Sequence, residues 1–226
     1  MSIEKEEVKS IITDENELGY RSDEIDIRKE GQEMQKIIGE LKAVIRAKNL
    51  KGLAAPCIGH FKRIFVLNFN GDLRSFVNPI ISKVDGLTLS KETCDCIPGK
   101  TYIRIRNNDV DITYQTPLGK IETRRFVGLA AMIAQHEIDH LDGLLLSDVG
   151  LEIDEEFENA SEEERQEVIN AYLDCLDVKQ KQLEAEIEKD EILQKTQKAI
   201  EFMTDLQQGK IQMADKVTRK KEKTSG

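Results

Sequence analysis

All four prolines of this 226-residue chain (Pro56, Pro79, Pro98, Pro117) lie before residue 152, with twelve of its fourteen glycines and eight of its eleven aromatic residues. Proline interrupts helices, glycine marks turns and bulky rings fill cores, so the front of the chain must fold as a mixed globular domain. The remainder has only what a long helix tolerates. Charge divides at the same place, with net −2 up to Leu151 and −8 beyond it, out of −10 overall. With a soft prior of roughly 150 residues per domain, the expected organisation is one domain over 1–150 followed by an acidic helical extension over 151–226.

A pI near 5.0 argues against nucleic acid as a specific partner, because phosphate binding needs clustered Lys and Arg. The basic cluster from Arg219 to Lys223 reads as a solvated end. The start, Met-Ser-Ile-Glu-Lys-Glu-Glu, lacks the basic and then apolar regions of a signal peptide. No apolar run approaches the ~20 residues that cross a bilayer, so no membrane partner is expected and the expected location is cytoplasmic. Four cysteines (Cys57, Cys94, Cys96, Cys175) are too few and too irregular for a disulfide scaffold. In a reducing compartment they are core thiols, ligands or nucleophiles.

From about Glu30 to Ala47 the apolar positions Met34, Ile37, Ile38, Leu41, Val44 and Ile45 recur at helical spacing, which predicts a helix with one buried face. Strands are predicted over Arg63–Phe69 and Ser75–Ser82 around an Asn70-Gly71-Asp72 turn, then over Tyr102–Arg106, Asp109–Gln115 and, after the Thr116-Pro117-Leu118-Gly119 turn, Lys120–Arg125. A helix from about Val127 to Asp142 follows. Ser161 and Glu164 fit a capping box. Beyond them Val168, Tyr172, Leu176, Leu183, Ile187, Leu193, Ile200 and Met203 describe an amphipathic helix reaching about Leu206, able to fold back or to pair with another helix.

His136-Glu137-Ile138-Asp139-His140 falls inside the second predicted helix. Four residues are just over one turn, so both imidazoles project from one face and can bind one metal, with Glu137 beside them to take a proton from water. A catalytic site of this kind usually has a third protein ligand. The His of one common protease pattern is absent, because Leu146 stands there. Glu158 and Cys94, the latter read as a loop residue, remain the two candidates on spacing alone.

Three segments, Gly52-Leu53-Ala54-Ala55-Pro56-Cys57, Glu92-Thr93-Cys94-Asp95-Cys96-Ile97-Pro98-Gly99 and Gln135-His136-Glu137-Ile138-Asp139-His140-Leu141-Asp142-Gly143, resemble the three motifs of peptide deformylases in order and separation, over about residues 20–150. The resemblance implies an α+β fold, with antiparallel β-sheets around a central metal-binding helix and a long C-terminal helical extension. It assigns the metal to Cys94, His136 and His140, the general acid/base to Glu137, and substrate and oxyanion contacts to Gly52, Cys57 and Asp95. The implied cofactor is a divalent metal, Fe(II) first, with Zn(II), Ni(II) or Co(II) as substitutes. The implied reaction removes the formyl group from an N-formylmethionyl peptide.

Departures from the family pattern accompany the matches. Cys57 replaces a Gln whose amide helps hold the oxyanion; a thiol is a weak donor, and losing one such donor costs ~2.7 to 4 kcal/mol in comparable sites. Asp95 stands where Leu is usual, Thr93 where Gly is usual, Leu50 replaces an earlier Gly, and Cys96 replaces Ser. A Thr at a glycine position raises the prospect of a backbone angle it dislikes. A Cys94-x-Cys96 pair on one strand face is a possible chelate. Two functions are therefore expected to compete: a metal-dependent amide hydrolase, and a catalytically weak or inactive deformylase-like binding protein that keeps the metal site. The C-terminal helices of ribosome-associated members are basic, so this acidic one points to self-association or a protein partner instead of ribosome docking.

Overall fold

The structure, a computed structural model, describes residues 8–176. The chain divides into two compact units, Met1–Ala160 and Ser161–Gly226.

The first unit opens with a short helix α1 (Glu15–Leu18) and the longer α2 (Gly31–Lys48). The buried side of α2 consists of the six apolar residues whose spacing predicts it, Met34 to Ile45. Asn49 ends the helix in the left-handed conformation, with its N–H returned to the Ile45 carbonyl. Six strands follow, β1 (Gly52–Ala54), β2 (Ile64–Phe69), β3 (Asp72–Cys94), β4 (Ile97–Gln115), β5 (Ile121–Val127) and, after helix α3 (Leu129–Leu141) and the single turn α4 (Leu146–Val149), β6 (Leu151–Ile153). They pair antiparallel in the order β1-β2-β3-β4-β5, and β6 joins the other end of β4. A last turn, α5 (Glu155–Asn159), closes the unit.

Turn chemistry sets the register. Asn70 and Gly71 both have positive φ between β2 and β3, the twist a two-residue hairpin needs. The β3–β4 hairpin is longer than the sequence pattern predicts: 23 residues pair with 19, so the separate strands predicted at Tyr102–Arg106 and Asp109–Gln115 are one strand, and Ser75–Ser82 is only the start of another. The apolar alternation fails between them because most of Ser82–Leu89 is exposed, while backbone pairing runs on without it. At the far end Cys94 pairs with Ile97 around Asp95-Cys96. Cys94 is thus the last residue of a strand and not part of a loop, and Cys96 lies in the turn, so the two do not share a strand face. Thr93 sits where the register shifts between Glu92 and Cys94, and its φ is not positive, so the bulge takes the β-branched residue without strain.

α3 lies against this sheet and is pinned at its middle and at its C-terminal end. The Gln135 amide donates to the Asn107 carbonyl at 2.8 Å and accepts from its N–H at 3.0 Å, so it completes the edge of β4. At the C-terminal end buried Arg63 donates to Asp142 Oδ1 at 2.6 Å and to the Leu141 carbonyl at 3.3 Å. Gly143 follows at φ 72°, and a Cβ there would lie 2.7 Å from the Gly19 carbonyl oxygen. These bonds explain why Gln precedes the metal-binding pattern and Leu-Asp-Gly follows it.

In the second unit residues 162–176 are helical. Glu164 N–H donates to Ser161 Oγ at 3.2 Å, and Ser161 N–H donates back to the Glu164 carboxylate at 2.8 Å, which completes the expected capping box. The rest of the expected helix lies outside the described residues. Among those described, no helix is long and apolar enough to cross a membrane.

Candidate active site

Three chain segments meet at one cavity of about 390 Å³. β1 and the 3-10 turn Ala55–Ile58 bring Gly52 and Cys57, the β3–β4 turn brings Cys94, Asp95 and Cys96, and α3 brings His136, Glu137 and His140. Every residue that the three motifs assign to metal, catalysis or substrate lines it. Glu158 does not: it is exposed and pairs with Lys91. His60 is engaged elsewhere, with Glu40 at 2.7 Å.

Cys94, His136 and His140 place their ligand atoms within 4.8 Å of one another. His140 Nε2 lies 3.3 Å from Cys94 Sγ, and the two imidazole rings stand nearly perpendicular with centroids 4.9 Å apart. One thiol and two imidazoles form a donor set that suits a borderline divalent cation.

The orientation of His136 is fixed from behind. Its Nδ1–H donates to Glu92 Oε2 at 3.0 Å, which leaves Nε2 for the cavity. Glu92 is in turn held by Arg106, whose Nε and Nη2 donate at 2.7 and 2.9 Å, and Arg106 Nη1 donates to Asp139 at 2.6 Å. Burial opposes the Glu92 charge, but Arg106 and His136 outweigh it and hold its pKa down at about 2. Burial likewise disfavours the imidazolium of His136; bonding to Cys94 and Glu92 nonetheless brings it up to about 9. Arg106, Glu92 and Asp139 carry this support, and sequence reasoning gave them no role. Arg106 has no local signal, because its partners lie 14 and 33 residues away and only the hairpin register unites them.

Glu137 is 5% exposed and forms no salt bridge among the described residues. Burial raises its pKa above the usual carboxylate range; the two histidines pull it down, and the Asp95 carboxylate pushes it up again. β1 passes directly over it. A Cβ on Gly52 would lie 2.6 Å from Glu137 Oε1 and 2.9 Å from Leu67 Cδ2, so only glycine lets the strand come this close.

Cys57, at the substituted end of the first motif, is 1% exposed. Its thiol neighbours that of Cys96, which favours the thiolate, but burial and the negative potential of Glu137 and Cys94 push the pKa up. Asp95 is exposed at the tip of the turn.

A cysteine and a His-Glu-x-x-His helix converging beneath an antiparallel sheet, with a buried carboxylate between the histidines, define a metal-dependent hydrolase. The polypeptide deformylase family matches residues 8–156, and the chain belongs to that family. It is 30% identical over 126 residues to a peptide deformylase of Dictyoglomus turgidum, covering 56% of this chain and 82% of that one. It is 33% identical over 147 residues to that of Pelagibacter ubique, covering 62% and 85%. Among solved structures it resembles the Thermotoga maritima peptide deformylase at a TM-score of 0.59 and 26% identity, covering 63% of this chain and 97% of that one. A probable peptide deformylase from Synechococcus phage S-SSM7 aligns at 0.58 and 30%, covering 62% and 99%. The chain is accordingly an enzyme of the deformylase class, a metal-dependent hydrolase of formyl C–N bonds, and its expected α+β architecture is the one observed.

Proposed function

We propose that this chain removes the formyl group from N-formylmethionyl peptides with Cys94, His136 and His140 as metal ligands and Glu137 as general acid/base. A bound divalent cation, Fe(II) in our reading with Zn(II), Ni(II) or Co(II) as substitutes, supplies Lewis acidity and a lowered water pKa. Glu137 takes the proton of the attacking water and returns it to the departing amine, so that formate and a free N-terminus result. Its burial suits this, since a carboxylate with a raised pKa gives the proton back readily. The backbone N–H of Asp95 is the remaining oxyanion donor in our reading, and Gly52 gives the substrate close access to Glu137. We assign this chemistry to residues 1–150 and leave to 151–226 the binding of a protein partner or a second copy.

The observation that carries the reading is Glu137 itself. A buried carboxylate with a backbone bond from Ala54 and no Lys or Arg beside it is costly to a fold, and a protein that only bound peptide would be served as well by Gln. The test is release of formate from formyl-Met-Ala-Ser by the Fe(II)- or Ni(II)-loaded chain. Turnover is expected, and Glu137→Gln should abolish it while retaining metal and raising the thermal stability of the metal-free protein. The competing reading, binding without turnover, draws on Cys57 and Asp95, which weaken the oxyanion side. It prevails if formyl peptide binds the loaded protein and no formate appears above the metal-free background.

A further inference from the structure

Two of the three thiols at this cavity have no part in the chemistry above as metal ligands. Cys57 comes from the 3-10 turn after β1 and Cys96 from the β3–β4 turn, and both are 1% exposed. Their sulfurs lie within 4.8 Å of each other and of a ring nitrogen of His140. His140 is 4% exposed, and its Nδ1 is buried with no hydrogen-bond partner. His136 differs, because Glu92 claims its Nδ1. A buried ring nitrogen with no partner among the described residues is costly, and a cation would satisfy it.

The donors set the class of ligand. Two sulfurs and an imidazole, with no oxygen among them, select a thiophilic d10 cation such as Zn(II), Cd(II) or Cu(I) over Mg(II), Ca(II) or Mn(II). Cys94 does not fall within this set, nor Cys57 within the other, so the cavity has two donor triads that share one histidine and not one enlarged cage. We propose that Cys57, Cys96 and His140 form a second cation site, for a thiophilic d10 ion, beside the Cys94, His136 and His140 site. Binding breaks two S–H bonds, releases both protons to solvent and forms two sulfur–metal bonds; no electrons are transferred.

The experiment titrates the metal-free full-length chain with Cd(II), in a Cys175→Ser background that silences the exposed thiol, and follows the ultraviolet sulfur-to-cadmium charge-transfer band, whose intensity counts Cd–S bonds. Cys94→Ser should keep a two-sulfur band, and Cys94→Ser/Cys57→Gln/Cys96→Ser should lose it. A Cys94→Ser band no stronger than that of the triple variant overturns the proposal. Circular dichroism and thermal melting establish that each variant is folded. If Cys94→Ser does not fold, the parent is compared with Cys57→Gln/Cys96→Ser: its band at saturation should be at least twice as intense, and equal bands overturn the proposal. This double variant keeps Cys94, so its one-sulfur band reports the catalytic triad alone, and failure of that triad is seen separately.

Discussion

Replacing Glu92 by Gln tests whether the support behind the metal ligands is as strong as its geometry implies. The carboxylate accepts three bonds, at 2.7 and 2.9 Å from Arg106 and 3.0 Å from His136, and Arg106 is 3% exposed. Two independent routes give the cost. Removing one partner of a buried ion pair leaves the other charge uncompensated, which costs about 3 to 5 kcal/mol. The fall in Glu92 pKa from 4.5 to about 2, at ~1.4 kcal/mol per pKa unit, gives about 3 kcal/mol. Asp139 still bonds Arg106 in the variant, so the lower figure is the expected one. Urea unfolding of the metal-free protein should therefore show a loss of about 3 kcal/mol at unchanged m-value. With His136 no longer oriented, metal affinity should fall roughly 10- to 100-fold. The double variant Glu92→Gln/Arg106→Met separates the two effects: without a buried cation it should regain most of the stability but none of the affinity. A loss below about 1 kcal/mol in Glu92→Gln, or recovery of affinity in the double variant, would refute the reasoning.

Gly52→Ala puts a methyl group 2.6 Å from Glu137 Oε1; it should cost about 1 to 3 kcal/mol of stability and, by displacing the carboxylate, up to ~100-fold in kcat, measured by denaturation and formate release. Cys57→Gln restores an amide donor and should raise kcat, by no more than the ~100- to 1000-fold attributed to one oxyanion donor; an unchanged or lower kcat would show that another group fills that role. The metal-free protein should be most stable between about pH 4.5 and 6.5. The lowered Glu92 pKa gives stability that is complete above 4.5 and lost as pH falls toward 2. The raised His136 pKa gives stability that is complete below 6.5 and lost as pH rises through about 9. Melting temperatures across pH 3 to 10 check this, and a maximum at alkaline pH would contradict it.

What the sequence made legible was local. The six buried residues of α2, the Asn70-Gly71 turn, the Ser161 cap and the one-face placement of His136 and His140 each follow from spacing within a few residues. The length of the β3–β4 hairpin was not legible, because Ser82–Leu89 faces solvent and loses the alternation by which strands are recognised. Cys94 was misplaced in a loop for a related reason: the turn after it holds only Asp95 and Cys96, too little to mark a boundary. Arg106 was invisible as a functional residue because its role exists only once the hairpin register aligns it with Glu92. The choice between Cys94 and Glu158 was open on spacing; the fold seats Cys94 beside His140 and leaves Glu158 exposed with Lys91.

The substitutions spare the supporting bonds even where the two are neighbours in the chain: Glu92 carries the support, and Thr93, Asp95 and Cys96 beside it are the changed residues. Gln135, Glu92, Arg106, Asp139, Arg63 and Asp142 bind one another or the backbone, so His136 and the middle and C-terminal end of α3 have almost no freedom. The changed positions are Cys57 and Cys96 in the two turns, Asp95 at the tip of one, and Thr93 at the end of β3 between Glu92 and Cys94; Thr93 and Asp95 are exposed, whereas Cys57 and Cys96 are buried. Burying Arg106 and Glu92 together costs several kcal/mol of desolvation per ion, which their pairing only offsets; such a network therefore adds little to stability, and its use is to hold ligands still. A chain that had given up metal chemistry would gain by packing apolar groups there. That the support is complete while the oxyanion residues are altered favours the proposed reading of a centre that still binds metal and turns over.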